Sequence, residues 1–206
     1  MPTMNFASAS GEWNTAANWN LVGAETTHRV PLATDDTTFT GIDGSAALTI
    51  TTTTAVAKSI DFSTAGAAFT FSGSPSLASL GSLTCKTGVT WSEIGELRLT
   101  GTGNLDTNGV NIGAAYISIN AAVTLINNNV VTAGQFNVRG QFGTAALTTN
   151  NLGITCTSFG DNASTGAVTL TLGTSTINCS NVSFAVATLT LNHTGMVNLP
   201  TVAAGL

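Results

Sequence analysis

The side chains of this sequence that could do chemistry are few and scattered. Asp35 and Asp36 are adjacent, and Glu93 stands close to Glu96. Two carboxyl groups flanking a glycosidic bond can serve as acid and as nucleophile or base, so either pair is a candidate for sugar hydrolysis. A hydrolytic groove would be expected to gather more acids and aromatic platforms. The chain has only 10 Asp and Glu in all, and Asp106 and Asp161 lie far from both pairs. His28 and His193 sit in no H-E-x-x-H, nucleophile-elbow or Cys-His context and read as surface or capping residues. Asp35, Asp36 and Asp43 are near enough in sequence to suggest a calcium loop, but the G-G-x-G-x-D repeat is missing.

Cys85, Cys156 and Cys179 are widely spaced, form no C-x-x-C pair and have no neighbouring His. An odd count without local pairing argues against a disulfide framework or a zinc site. Each shares an alternating pattern with an aliphatic residue, as in Leu83/Cys85, Ile154/Cys156 and Ile177/Cys179, and so reads as a small buried hydrophobe. Asn-x-Ser/Thr triplets begin at Asn162, Asn178, Asn181 and Asn192, as chance supplies in a chain rich in Asn, Ser and Thr. The expectation is a non-enzymatic protein with no cofactor and no metal.

Composition narrows the partners. The chain of 206 residues is 43% hydrophobic and 7% charged, with five fixed cations, Arg29, Lys58, Lys86, Arg98 and Arg139, and a net charge of −5. Scattered cations on an acidic chain cannot neutralise a run of phosphates, so no nucleic acid is expected. Thr, Ser, Asn or Gly breaks every apolar stretch well short of a span of about 20 residues, so no membrane insertion is expected either. The Val, Ile, Leu and Phe content excludes a disordered segment. The N-terminus shows no basic region followed by an apolar one, and is expected to carry no secretory signal.

The elements that would hold these residues are strands. No long segment repeats apolar residues at helical spacing, and Thr, Val, Gly and Asn are poor helix formers. Short alternating pairs recur at Leu48/Ile50, Phe69/Phe71, Leu97/Leu99, Ile117/Ile119, Phe136/Val138, Ile154/Cys156, Leu170/Leu172 and Leu189/Leu191. Their starts fall at intervals near 20 residues, with a second set of pairs between them. Two or three short strands per interval, parted by Gly, Asn or Ser turns, make one coil of a stacked repeat. The spacing predicts an all-β parallel β-helix, or β-solenoid, whose coils bury one another's apolar side chains. An antiparallel β-sandwich or jelly roll is the main alternative, since its turn spacing is similar. Asn is absent from Leu21 to Gly103 and frequent afterwards; it tolerates left-handed backbone and can hydrogen-bond along a stack.

Residues 1–44 read as an N-terminal capping or attachment segment and 45–206 as the solenoid body. Trp13 and Trp19 stand six residues apart in the first segment, ahead of Arg29-Val30-Pro31 and Asp35-Asp36. Their bulk suits a plug for the open end of a stack. Both are also the candidate residues for contact with a ligand such as a sugar ring, or with an interface.

The order G-x-W-x5-W, R-V-P, D-D and a first strand resembles the opening of β-helical segments in bacterial surface proteins and phage virion proteins. Residues 168–177, Val-Thr-Leu-Thr-Leu-Gly-Thr-Ser-Thr-Ile, are similar to a strand and turn of phage structural proteins. The resemblance implies a structural component of an extracellular particle: a phage tail fibre, spike or decoration protein, located on a virion or an extracellular surface. Its partners would be copies of itself, with three-fold symmetry implied by spikes and fibres, and other particle proteins. The low charge of the chain also favours a homo-oligomer. A carbohydrate-binding adhesin that recognises a cell-surface glycan is the alternative. A third reading, ice binding, would need outward Thr at matched positions, and Thr49, Thr70, Thr100, Thr155, Thr169 and Thr188 flank the recurrent strands with Arg98, Asn137 and Arg139 interrupting the row.

Overall fold

The computed structural model of the chain describes residues 1–8, 10–40, 47–51, 55–65, 70–73, 77–79, 81–92, 95–110, 116–126, 131–140, 143–161 and 166–194. It is a β-solenoid. A short 3-10 turn at Ala16–Asn18 is the only helical piece among the described residues, and every pair of coil strands is parallel.

The described strands fall into three sheets. One face stacks Ser10–Glu12, Ala47–Ile50, Thr70–Gly73 and Thr90–Ser92. The next stacks Ala55–Ala57, Leu77–Ser79, Glu96–Leu99, Tyr116–Ile119 and Gln135–Val138, and continues into Ile154–Asp161 and Ile177–Phe184. We call these the short and middle sheets. The long sheet stacks Thr3–Phe6, Asp36–Thr38, Ser59–Asp61, Leu83–Thr84, Gly103–Asp106, Ala122–Leu125, Thr144–Thr148, Ala167–Gly173 and Thr188–His193. In the later coils the strand Ile154–Asp161 pairs with both Val131–Thr132 and Gln135–Val138, so one strand spans two segments of the preceding coil.

Alternation builds the core. Every second residue of a strand points inward, and parallel register places like on like in the coil above. Leu97, Ile117, Phe136, Phe159 and Val182 form one such column, and Leu83, Leu105 and Leu125 another. These residues, Val182 apart, are buried, and Val182 packs half-buried against them. Burying each such side chain stabilises the fold by about 1.5–3 kcal/mol. Asn also serves the stack: Asn108, Asn150 and Asn151 take positive φ at turns. Asn150 donates to the Leu125 carbonyl of the previous coil at 2.9 Å, and Asn151 accepts from the Thr174 amide of the next at 2.9 Å.

One expectation needs correction. The alternating pairs at intervals near 20 residues do not lie on one face. Leu48/Ile50 belong to the short sheet, Leu97/Leu99 and Ile117/Ile119 to the middle sheet, and Leu170/Leu172 and Leu189/Leu191 to the long sheet. The strands of all three sheets share the same alternation, so a spacing near 20 slides from one face to another whenever a coil is longer. Phe69 lies outside the described residues, as does residue 44, the expected segment boundary.

The N-terminal end is sealed. Thr3–Phe6 is the first parallel rung of the long sheet, and Trp19–Leu21 and Ala24–His28 then add antiparallel strands that finish its edge. At the opposite end, Leu189 and Leu191 carry on the inward columns of Val168 and Leu170 but remain 43% and 52% exposed. With Phe159, Leu172, Val182 and Phe184 they line an apolar hollow.

Candidate functional site

The outer face of the middle sheet brings together most of the charge of the later chain. Glu96, Tyr116 and Gln135 are register partners in one outward column; Arg98, Ser118, Asn137 and Gly160 form the next. Outward residues of a solenoid normally meet water, yet Ser118 is fully buried and Asn137 is 5% exposed. The cover comes from arginine. Arg98 pairs with Glu96 at 2.5 Å along the same strand, and Arg139 reaches back two rungs to the same carboxylate at 3.4 Å, crossing the rung of Ser118.

Burial pushes the Glu96 carboxyl up. Hydrogen bonds from Arg98 and Ser118, with the charges of Arg98 and Arg139, outweigh that and hold it below its usual range. Glu96 is therefore committed to its two arginines as an anion. Glu93, its expected partner in hydrolysis, lies outside the described residues. Asn137 Nδ2 and Asn120 Oδ1 are covered and have no hydrogen-bond partner among the described residues, and Tyr116 on the same sheet is 38% exposed. The exposed phenol ring, flanked in register by Glu96 and Gln135, offers a stacking face to a ring-shaped ligand.

The other expected residues take structural places. Asp35 is fully buried and receives both Nη atoms of Arg29 and the Leu32 amide at 2.7 Å, while Asp36 accepts from Ser59 at 2.5 Å and pairs with Lys58 at 3.3 Å. The Arg29 hydrogen bonds hold the Asp35 carboxyl below its usual range. The adjacent acids thus serve separate partners and cannot bracket one bond. Asp43 lies outside the described residues. His28 donates from Nδ1 to the Trp19 carbonyl at 3.2 Å, closing the edge hairpin, and His193 sits on the last strand with its ring nitrogens covered. Among the described residues no three His, Cys, Asp or Glu converge as a metal site, and no helix is long and apolar enough to cross a membrane.

Trp13 and Trp19 are both fully buried. Their ring centroids lie 4.7 Å apart edge to face, Trp19 Nε1 donates to the Trp13 carbonyl at 2.8 Å, and Phe6, Phe39 and Phe62 extend the cluster downward. Neither indole shows solvent a face on which a sugar could stack. Among the described residues the exposed aromatic ring is that of Tyr116, which sequence reasoning passed over. Its signal was present: Glu96, Tyr116 and Gln135 recur at 20 and 19 residues, one coil apart.

The expected Thr row is divided by the same three-sheet geometry. Thr49 and Thr70 lie on the short sheet, Thr169 and Thr188 on the long sheet. No single flat face carries them. Register also joins two cysteines that read as isolated: Cys156 and Cys179 are direct partners on neighbouring strands.

No family model, curated protein or solved structure matches the chain.

Proposed function

We propose that this chain is a non-catalytic structural module of an extracellular assembly, a phage virion component such as a tail fibre, spike or decoration protein, which works as copies packed against one another and against other particle proteins. The observation that carries this reading is the use of the polar side chains. Asp35, Asp36, Glu96, Asn150 and Asn151 are engaged in ion pairs or hydrogen bonds that brace turns and neighbouring coils. A stack held in this way is a stiff body of fixed length, suited to setting distance and presenting surface. The test uses an antibody raised against the purified chain on particles banded by density from the producing culture. Label that co-sediments with particles supports the module; label confined to the soluble cell contents overturns it.

A second reading, saccharide recognition, is favoured by Tyr116, which stands exposed on the outer face of the middle sheet in register with Glu96 and Gln135. A glycan array comparing the chain with its Tyr116→Ala variant decides it. Binding lost in the variant supports recognition, and no binding by either protein removes it.

A further inference from the structure

Cys156 and Cys179 occupy the same inward column on adjacent parallel strands, Ile154–Asp161 and Ile177–Phe184, and the register pairs them directly. Strands in a sheet lie about 4.8 Å apart, which places two in-register Cα atoms inside the span of about 4.4–6.8 Å that disulfides bridge and their Cβ atoms just beyond the usual range of about 3.5–4.5 Å, so the bond draws the two rungs slightly together. The two thiols already touch as hydrogen-bond partners. Their side chains leave the backbone in the same direction, as every in-register pair in a parallel sheet does. Both thiols are free in the structure and buried. Cys85 lies on another coil, just after Leu83–Thr84, and has no cysteine across from it.

We propose that Cys156 and Cys179 are a modification site: a cross-rung disulfide pair that oxidises intramolecularly and staples together the final two described rungs of the middle sheet. Two thiols lose two protons and two electrons and form one S–S bond; the oxidant, a small-molecule disulfide, is reduced to two thiols. The staple has a purpose at this place. Ile177–Phe184 lies next to the final described strand, where Leu189 and Leu191 are exposed, and its own outward residues are open to solvent. Coils at such an end open first, because each rung is held by its neighbours alone. Closing the loop of 22 residues between the two cysteines removes freedom from the opened chain.

Reactivity fits oxidation during folding. Burial pushes the Cys156 thiol up to about 12, aided by the neighbouring Cys179, so the folded pair holds little thiolate at neutral pH. Attack on an oxidant is then fast while the coil is still forming and slow once it has stacked. An extracellular location would supply the oxidising surroundings, but the pairing itself does not depend on the proposed function.

The test is refolding of the full chain in a mixture of oxidised and reduced glutathione, followed by thiol counting in denaturant, intact mass and peptide mapping. The expected result is a fall from three free thiols to one, a mass loss of two hydrogens, a linked peptide pair containing Cys156 and Cys179, and a melting temperature several degrees above the reduced form. Cys85→Ser should form the same link and leave no free thiol. Three free thiols after refolding, with the native circular dichroism recovered, would overturn the proposal. So would a link involving Cys85, or only mixed disulfides with glutathione.

Discussion

Arg139 and Glu96 are 43 residues apart in the chain and joined across two rungs of one sheet, Nη1 to Oε1 at 3.4 Å. In between, Ser118 points outward and is nevertheless fully buried. The pair is thus a strap over a sheet face, and its removal should be felt by groups it does not touch in sequence. Arg139 is nearly a third exposed, so Arg139→Ala should cost only about 0.5–1 kcal/mol. Glu96→Gln leaves two arginines over a covered polar floor and should cost more, about 1–3 kcal/mol. Urea denaturation of the two variants and the parent checks both values, and a smaller loss for Glu96→Gln than for Arg139→Ala would contradict the strap.

Stability should fall in acid for a stated reason. Asp35 is held below its ordinary value of 3.8 by Arg29, and Glu96 below 4.5 by Arg98, Ser118 and Arg139. A carboxylate with a depressed folded value contributes stability that is complete above its unfolded value and is lost as pH falls through the folded one. The loss should therefore set in below about pH 4.5 and deepen toward pH 2. Asp35→Asn removes one source, costing about 1–3 kcal/mol at pH 7, and should flatten the acid limb. Denaturation midpoints from pH 2 to 8 provide the comparison; an unchanged acid limb in the variant would speak against Asp35 as a source.

Alternation, β class and solenoid stacking were legible in the sequence because each inward pair, Leu97/Leu99 or Ile117/Ile119, states its own pleat. What could not be read was which face a pair belongs to. Coil lengths vary, so the step from Leu170 to Leu189 stays on one sheet while the step from Phe71 to Leu97 changes sheets. The candidate site was hidden for the same reason. Glu96, Tyr116 and Gln135 become neighbours only when register is known, and so do Cys156 and Cys179. The burial of Trp13 and Trp19 was visible as a plug from their bulk and position, whereas the choice between plug and ligand contact needed the neighbouring Phe6 and Phe39.

Trp13→Ala and Trp19→Ala should each lower stability by about 3–5 kcal/mol, since each empties a large volume in a filled aromatic cluster. Thermal melts followed by circular dichroism give the readout. A variant that melts like the parent would mean that the cluster can close over the gap.

Gly160 adopts φ +150°, and a methyl group there would run into the Ser183 carbonyl of the next coil. Gly160→Ala should therefore separate the last two rungs of the middle sheet and cost about 1–3 kcal/mol. Hydrogen exchange should show faster exchange at Ser183 and Ala185 while Ile117 and Ile119 keep their protection; uniform loosening of all coils would argue against such local control.

Leu189→Lys and Leu191→Lys test the uncovered end. Both positions are about half exposed, so folding should tolerate the charges, with a stability change within about 1 kcal/mol. Self-association through this end should weaken. Sedimentation at micromolar concentration reads the outcome: an oligomer in the parent that persists unchanged in the double variant would place the contact elsewhere.

The backbone ladders between coils run along the axis of the stack, each described strand bonding to the strands beside it. Under tension along that axis the rungs are loaded in series, so the body yields one coil at a time and not in a single rupture. The antiparallel hairpin and the packed indoles at the sealed end make that end the mechanical anchor. Coils loaded from the side of Thr188–His193 would release in order toward that anchor, each paying out about 20 residues of slack. A module built in this way behaves under load as a graded spring with one fixed end, and a covalent link between Cys156 and Cys179 would set the coil at which that travel stops.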